Sequence, residues 1–588
     1  MACCGAGGSG CAASPAAIRS AATATTRFRE PLMDRRLLLA IALMVLVVFV
    51  PSLLWPPPPP PEPVAADTLQ VVDSGPSAGP RVEAPPTIGP TAVEPSVTRA
   101  PDVRASDSLP EHVVVVESPL YRYEFSTLGG RLLRATLRNY RSFAHADSGP
   151  AQLIPPDSRL LALAYVVGAD TVELGDFAFL PDADTVRVGP DGGTLRLQGR
   201  VGSRDVVLRY RFEPDTYRFD VEGEVVGGLE GVLTVGLGPR LRSIDADTVT
   251  DIRSYGVVTK ARRTERLNFR SLDPGERREL TGPFEWVAIK SKYFVEAVLA
   301  IEPSSPQFGG AVAVGGPKPG RFESAVDVTA SLPVADGRFH LSVFVGPQDN
   351  RRLKRVGHDF DDVNPYGWIL RPVIRPVVDY AILPVLFWMH ERLSIGYGWV
   401  LILFGILVRL LLWPLNQKAM RSSTAMQAIQ PELKDIQERY KSEPQKLQQE
   451  MLKLYKEHGV NPLGGCLPML IPMPVLFALF FVFANTIEFR GVSFLWLPDL
   501  ARADPYYIIP IVMGASMFLL SWIGQRNMPP NPQTKMMMYI MPGMFTFLFL
   551  NFSSGLNLYY AVSNISSLPQ QWLISRERAR RLAARGKG

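Results

Sequence analysis

The feature that most constrains this chain is an apolar stretch at residues 399–418, WVLILFGILVRLLLWPLNQK. About 20 apolar residues are enough for a helix to cross the hydrocarbon core of a bilayer. The apolar part of the stretch carries one charge, Arg409, and a charge at that depth costs roughly 2.5–3.5 kcal/mol on insertion scales. Either Arg409 snorkels to the membrane surface along its aliphatic stem, or it lines a water-filled cavity within a helix bundle.

The distribution of residue types divides the chain into membrane and soluble parts. Apolar residues concentrate in one N-terminal run and in the part that follows residue 398. The net charge of +6 is modest, and the basic residues gather in segments that we assign to the cytosol, which indicates topology rather than nucleic-acid binding. No cysteine lies between residues 56 and 398, so the large domain there is predicted to fold without disulfides.

The N-terminal part is predicted to be a membrane anchor preceded by a disordered extension. Residues 1–32 are rich in Ala, Gly and Ser, and Met33 is a candidate for the true first residue. Residues 33–55 combine basic residues with an apolar run and read either as a signal peptide or as a first transmembrane anchor. No small-x-small cleavage site closes the run, which favours the anchor. Arg35 and Arg36 place its N-terminus in the cytosol, and residues 56–110 form a Pro-rich linker.

Residues 111–346 are predicted to form a large antiparallel β-sandwich on the far side of the membrane. HVVVVES, LLALAYVV, TLRLQGRV, DVVLRYRF and TYRFDVEGEVV are β-branched or alternating, and Gly- and Pro-rich turns separate them. Residues 347–394 then mix apolar residues with Arg371, Arg375 and Asp379. This mixture favours an amphipathic helix in the membrane interface over a spanning helix.

A polar stretch at residues 416–462 is predicted to be a cytosolic helical hairpin. It contains eight Lys or Arg residues, which the positive-inside rule places in the cytosol. Pro431 and Pro444 each open an amphipathic pattern and Gly459 closes the second. The alternative is a plain cytosolic loop.

Four further apolar segments, at 465–485, 506–524, 536–552 and 555–574, complete a predicted six-span topology. The loops assigned to the outside are poor in Lys and Arg, and the tail at 576–588 holds six basic residues. Residues 395–575 therefore form a five-helix core, with both termini in the cytoplasm and the β domain opposite. No Asp or Glu lies in the five C-terminal spans.

The chemistry of the spans favours a device without enzymatic activity. Several spans carry Asn, Ser or Thr, which usually join helices but together with Arg409 favour a wet cavity. Their many Met and Phe residues are explained by core packing, although a flexible apolar surface also suits varied partners. No nucleotide-binding or metalloprotease motif occurs, and nothing indicates a cofactor or metal. The competing class is a secondary transporter or channel for a small solute, which predicts midplane carboxylates that are absent here.

Four membrane motifs in order resemble the YidC family of membrane protein insertases. They are LFGILVRLLLWPLNQKAMRSSTAMQAIQP (403–431), NPLGGCLPMLIPMPVLFALF, DPYYIIPIVMGASMF and FSSGLNLYYAVSNISSLPQQWLI. Within the β domain, YEFSTLGGRLLRATLRNY and WVAIKSKYFVEAVL resemble that family more loosely. The resemblance implies the Gram-negative type, a multi-pass protein of the bacterial inner membrane with a large periplasmic domain.

The resemblance also implies a function and a site. The family inserts nascent inner-membrane proteins and helps them fold, alone or with the Sec translocon (SecYEG and SecDF), and its other implied partners are the ribosome, the signal recognition particle pathway and the lipid bilayer. Its essential groove arginine matches Arg409. Its substrate-contacting slide matches Gly405, Met473, Leu476, Gly555 and Tyr560. Some members have a hydroxyl residue in place of Gly405 and Phe in place of Leu476, and Pro472 stands where the family has Gln.

Overall fold

The computed structural model describes residues 111–144, 149–201, 204–225, 230–302, 306–318, 324–364, 366, 371–459, 473–526 and 532–585. All of these residues belong to one unit, Thr98–Gly588. The predicted extension at 1–32, the first anchor at 33–55 and the Pro-rich linker at 56–110 lie outside the described residues.

Many strands of the β domain alternate between buried and exposed side chains, whereas Gly256–Lys260, Trp286–Lys290 and Phe294–Leu299 are buried at every position. In the strand Arg204–Phe212, Val206, Leu208, Tyr210 and Phe212 are buried. The strands are β1 (Val113–Glu117), β2 (Tyr121–Ser126), β3 (Leu132–Arg141), β4 (Pro150–Gln152), β5 (Leu163–Val167), β6 (Asp170–Glu173), β7 (Leu180–Pro181), β8 (Thr185–Arg187), β9 (Gly193–Val201), β10 (Arg204–Phe212), β11 (Arg218–Val225), β12 (Gly231–Leu237), β13 (Gly256–Lys260), β14 (Thr264–Asn268), β15 (Arg277–Phe284), β16 (Trp286–Lys290), β17 (Phe294–Leu299), β18 (Phe308–Gly315), β19 (Val326–Val334) and β20 (Arg338–Pro347).

These strands form three sheets. The largest has the order β14-β13-β16-β17-β20-β11-β10-β9-β7, a second has the order β15-β18-β19-β12-β5-β6, and a third has the order β4-β3-β2-β1-β8. Within the part of the chain that the structure describes, the paired strands are antiparallel except β1 and β8, which are parallel. The prediction of a large antiparallel β domain is confirmed.

A layer of aromatic side chains joins the five-stranded sheet to the nine-stranded sheet. The ring centroids of Tyr123 and Phe219 are 5.8 Å apart, and those of Phe125 and Tyr210 are 5.0 Å apart. Buried aromatic pairs in such tilted arrangements stabilise a core beyond the area they bury. The third sheet therefore covers apolar surface that a simple two-sheet sandwich would leave exposed.

The helices follow the β domain, apart from one short helix within it. They are α1 (Thr248–Arg253), α2 (Asn350–Val356), α3 (Arg371–Pro376) continued by a π-helical segment (Val377–Ile382) into α4 (Leu383–Leu393), α5 (Tyr397–Ala428), α6 (Gln430–Arg439), α7 (Pro444–Glu457), α8 (Met473–Asn485), α9 (Ile508–Gln525), α10 (Pro532–Phe549) and α11 (Ser554–Arg585).

Three helical segments among the described residues are long and apolar enough to cross a membrane, namely 371–393, 397–417 and 508–525. Two shorter apolar helices lie at 473–485 and 538–549. Segment 371–393 was predicted to lie in the membrane interface, but its length and composition would also allow it to span the membrane. Arg375 pairs with Asp361 and Asp379, so two of the charges that argued against a span are compensated. The interfacial position and the count of six spans stay predictions.

The stretch after the arginine-bearing span is helical. Helix α5 continues to Ala428, so that its 32 residues are about 48 Å long. Helices α6 and α7 each begin with proline in the first turn. They contact each other, and His458 Nε2 lies 2.9 Å from Glu432 Oε2.

Helices α5 and α11 run in the same direction. A Cβ on Gly405 would lie 3.5 Å from Tyr559 Cδ2, and further along both helices the carbonyl of Trp413 accepts a hydrogen bond of 3.1 Å from Gln570 Nε2. Helix α9 shares this direction, since its contact with α11 advances along both helices from the Ser516–Asn564 hydrogen bond to the approach of Gly524 and Gln571.

Helix α10 runs opposite to α9, because Phe518 contacts Tyr539 while Gly514 lies against Thr546. Helix α8 ends where α11 begins, with Phe483 against Gly555. The first residues of α5, α9 and α11 and the last residues of α8 and α10 therefore share one end of the bundle. These relative directions agree with the alternation predicted from charge.

The β domain contacts that same end of the bundle, called here the β-domain end. Arg490, in the loop after α8, pairs with Asp245 and donates hydrogen bonds to the carbonyls of Arg141 (2.8 Å) and Ile244 (3.1 Å). Its guanidinium also lies over the ring of Phe143, 4.6 Å from the centroid. A buried arginine thus joins the bundle to the β domain.

Candidate functional site

The candidate site is built around Arg409 on α5. This helix forms because residues 399–413 contain Leu, Val, Ile and Phe with a single interior Gly, and it is continuous through Pro414. Arg409 is twelve residues beyond Tyr397, which places it about 18 Å along the helix axis from the β-domain end. Its side chain is half-buried and faces α11.

Arg409 has incomplete hydrogen bonding within the protein. Its Nη2 donates to Gln570 Oε1 over 3.5 Å, which is at the limit of a hydrogen bond, while its Nε is buried and has no partner among the described residues. Helices α5, α8, α9 and α10 contain no Asp or Glu, and α11 contains none before Glu577. A buried donor without a partner is costly, so this guanidinium is suited to donate hydrogen bonds to water or to an arriving acceptor.

Further polar side chains lie on α5 itself and on α9 and α11. Gln570 is 1% exposed and Asn416 is 4% exposed, and Asn416 Nδ2 has no partner among the described residues. Asn564 donates to Ser516 Oγ over 3.3 Å, which joins α11 to α9. The site therefore combines one cation with several amide and hydroxyl groups within otherwise apolar helices.

Gln570 and Asn416 were not among the polar residues that sequence reasoning assigned to the spans. The spacing of polar residues along α5 and α11 could have identified both residues. Ser563, Ser567 and Gln570 follow one another at intervals of four and three residues, and Arg409 and Asn416 are seven residues apart. Such spacing places side chains on one face of a helix.

Some of the polar residues in the spans are bonded within their own helices. Thr546 Oγ1 donates to the carbonyl of Pro542 and Ser567 Oγ donates to that of Ser563. Hydroxyls that bond to the preceding turn add little polarity to a cavity. The polarity around Arg409 therefore comes mainly from amide side chains.

The residues predicted as a substrate-contacting slide occupy different environments. Gly405 is buried where α5 meets α11, and Gly555 is buried against the ring of Phe483. Tyr560 is half-buried, with its ring 5.7 Å from that of Phe549. The two glycines allow close contact between helices.

Met473 and Leu476 lie on the first turn of α8 as described, and both are half-buried. Pro472, which precedes that helix, lies outside the described residues. Leu410 and Leu411 on α5 are 60% and 75% exposed. The structure thus places Gly405 at the contact of α5 with α11 and Tyr560 against Phe549 of α10, while Met473 and Leu476 lie on a separate helix, α8.

No group of three His, Cys, Asp or Glu side chains that could hold a metal ion occurs among the described residues. The chemistry available at Arg409 is electrostatic attraction and hydrogen bonding by a guanidinium, which binds carboxylates well.

Two family models match consecutive parts of the chain. One, described as the YidC periplasmic domain, matches residues 113–379, and the other, described as the 60Kd inner membrane protein, matches residues 388–581. The first covers the β domain with α2 and α3, and the second covers the helix bundle with Arg409.

Curated relatives match most of the chain. The membrane protein insertase YidC of Syntrophus aciditrophicus is 31% identical over 578 residues, which cover 93% of this chain and 100% of the relative. That of Chloroherpeton thalassium is 32% identical over 79% of this chain and 83% of the relative. Among solved structures, an active YidC insertase crystal structure with the first transmembrane domain resolved matches 79% of this chain and 93% of its own, with 21% identity and a TM-score of 0.31.

Proposed function

The chain belongs to the YidC family of membrane protein insertases, and from that premise we propose that Arg409 receives the translocated segment of a client. As a member of this family, the chain is a non-enzymatic inner-membrane protein with a periplasmic domain, and it acts on nascent membrane proteins. The observation that carries the proposal is a half-buried guanidinium whose Nε has no partner in the part of the chain that the structure describes, within spans that contain no Asp or Glu.

The orientation that we propose places the β-domain end in the periplasm and both termini in the cytoplasm. The basic residues support it. Helices α6 and α7 follow the far end of α5. Helix α11 begins at the β-domain end and extends to Arg585, with five arginines among its last ten residues. Positive charge thus collects at the end opposite the β domain, as the positive-inside rule requires of a cytosolic face.

The depth of Arg409 favours a role in the inner half of the membrane. It lies about 18 Å from the β-domain end of α5 and only eight residues, or about 12 Å, before Gln417. A hydrated pocket at this depth shortens the apolar path that the polar segment of a client must cross. Arg409 can pair with a client because the spans of the surrounding helices carry no carboxylate.

The proposed step is a transient pairing. An acidic residue near the translocated end of a client accepts hydrogen bonds from Arg409, which replaces part of the hydration that the carboxylate loses. Burial of the client's apolar helix in lipid then drives its release. Neither action consumes a nucleotide. Gly405, Met473, Leu476, Gly555 and Tyr560 are proposed to shape the apolar surface along which the client helix leaves.

We further propose that the cytosolic elements recruit the partners that the family resemblance implies. The hairpin of α6 and α7 is placed to receive clients from the ribosome and the signal recognition particle pathway. The basic end of α11 is suited to the phosphates of ribosomal RNA. Cooperation with the Sec translocon (SecYEG and SecDF) belongs to the same proposal.

Two substitutions at one position test the role of the guanidinium. The assay depletes the native insertase, supplies a variant, and follows protease accessibility of a small phage-coat-like membrane protein with an acidic translocated segment. Arg409→Ala should weaken insertion, whereas Arg409→Lys should largely preserve it, because the cation is kept. A matched client with a neutral translocated segment should depend less on Arg409.

The control is Lys446→Ala, which removes an exposed cation that pairs with Glu443 in the cytosolic hairpin. It should leave insertion of both clients unchanged. Equal insertion of the acidic client by Arg409→Ala and the unmodified protein would instead mean that Arg409 merely snorkels.

A further inference from the structure

The loop between α8 and α9 carries an exposed apolar turn that the insertase activity does not explain. Phe494 and Leu497 exchange two backbone hydrogen bonds of 2.9 Å, which leaves Leu495 and Trp496 as the two residues at the tip. Leu495 is 69% exposed and Trp496 is 37% exposed. Residues 491–498, called here the tip segment, contain no charged side chain.

The backbone of this turn is unfavourable for the residue that occupies it. Leu495 has φ +53°, the left-handed region that Gly, Asn and Asp adopt more readily than a large apolar residue. In water, both the strained backbone of Leu495 and the exposure of its apolar side chain are unfavourable. A strained, exposed apolar residue indicates a site that contacts an apolar partner, such as a membrane or another protein.

The tip segment is held rigidly by its neighbours. The ring of Phe494 packs edge-on against Trp399, with centroids 5.4 Å apart, and fits because Gly398 has no side chain. Trp496 Nε1 donates to the carboxylate of Asp504, which also accepts hydrogen bonds from backbone N–H groups at the start of α9. The turn is therefore fixed at the ends of α5 and α9.

Exposed apolar surface continues from the tip segment onto those helices. Trp399 is 54% exposed, Tyr506 66%, Tyr507 48% and Ile511 57%. Tryptophan and tyrosine favour the headgroup level of a bilayer, where a ring can be half apolar and half wet. Since α5 and α9 are long and apolar enough to cross the membrane, their first residues mark that level.

We propose that the Leu495–Trp496 turn inserts into the lipid surface at the β-domain end of the bundle and anchors that end at headgroup depth. The occupant is the bilayer itself, because the turn is continuous with the exposed faces of α5 and α9. The side chain of Leu495 reaches the outer part of the acyl chains, while Trp496 Nε1 continues to donate its hydrogen bond to Asp504. The strained backbone holds the apolar side chain outward, toward lipid.

Site-specific quenching by brominated phospholipids tests this contact. The full chain, with its four cysteines replaced by serine, receives Leu495→Cys, is labelled there with an environment-sensitive fluorophore, and is reconstituted in phospholipid vesicles. Ile511→Cys on α9 provides a deeper membrane reference. Leu180→Cys, whose leucine is 62% exposed on β7, provides a matched reference on the β domain.

The proposal expects the label at 495 to lose more emission with lipids brominated near the carbonyl group than with lipids brominated near the chain end. The label at 511 should show a smaller preference for the shallow quencher, and the label at 180 should lose none. Quenching at 495 no greater than at 180 would overturn the proposal. Shielding of 495 from aqueous iodide without lipid quenching would also overturn it, because a protein would then be the occupant.

Discussion

Replacing Arg490 by alanine should detach the β domain from the β-domain end of the bundle. The side chains of Arg490 and Asp245 are only 3% and 9% exposed, so the substitution leaves a buried carboxylate without its cation. Removing one partner of such a pair costs roughly 3–5 kcal/mol. The lost hydrogen bonds to Arg141 and Ile244 and the lost contact with Phe143 act in the same direction.

Hydrogen exchange of the full chain in detergent micelles measures this cost as local opening. At 1.36 kcal/mol per factor of ten, the backbone amides of residues 486–500 should exchange roughly 10²- to 10⁴-fold faster in Arg490→Ala. The matched control is Arg200→Ala, because Arg200 pairs with Asp205 at 2.9 Å while both side chains are largely exposed. An exposed pair contributes roughly 0.2–1 kcal/mol.

Adding Asp245→Asn to Arg490→Ala removes the unpaired charge and should restore part of the protection. This double-mutant cycle isolates the coupling between the two side chains. The reasoning would be refuted if Arg490→Ala changed exchange of residues 486–500 no more than Arg200→Ala changes exchange around its own strand.

Two further predictions concern stability. Burial raises the pKa of Glu296 to about 8 from an ordinary value of 4.5, so the folded β domain keeps a proton that the unfolded chain releases. This proton makes the unfolding free energy fall as pH rises from about 4.5 to about 8, and Glu296→Gln should remove the part of the fall that Glu296 causes, as measured by denaturant unfolding across that range. Gly555→Ala would place a Cβ against the buried ring of Phe483 and should cost roughly 1–3 kcal/mol in thermal unfolding in detergent. Gly524→Ala meets only the end of the flexible Gln571 side chain and should cost less; equal costs would contradict this explanation.

Much of the fold follows from local patterns. The β-branched run in HVVVVES predicts β1, and the alternation in DVVLRYRF predicts β10 because neighbouring side chains on a strand face opposite sides. Proline at the start of α6 and α7 and apolar runs in α5 and α9 predict those helices. Each pattern reports a preference of a short segment, and tertiary packing here agrees with it.

The composition of the candidate site was only partly predictable. Arg409 is evident from the sequence as a charge in an apolar run, but Gln570 becomes its neighbour only through the packing of α5 against α11, 161 residues apart. Likewise, the predicted slide glycines are ordinary small residues in sequence, and their burial against Tyr559 and Phe483 depends on neighbouring helices.

The sequence alone determined that this chain has a β domain, apolar helices and a single arginine within one of them, since hydrophobic periodicity and charge are properties of local segments. Only the tertiary structure decided that Arg490 enters the β domain, that a third sheet covers the nine-stranded sheet, and that Leu495 projects from a strained turn. Those features depend on contacts between residues far apart in the chain, and such contacts are selected by the shape and burial of the whole fold rather than by any segment's own preference.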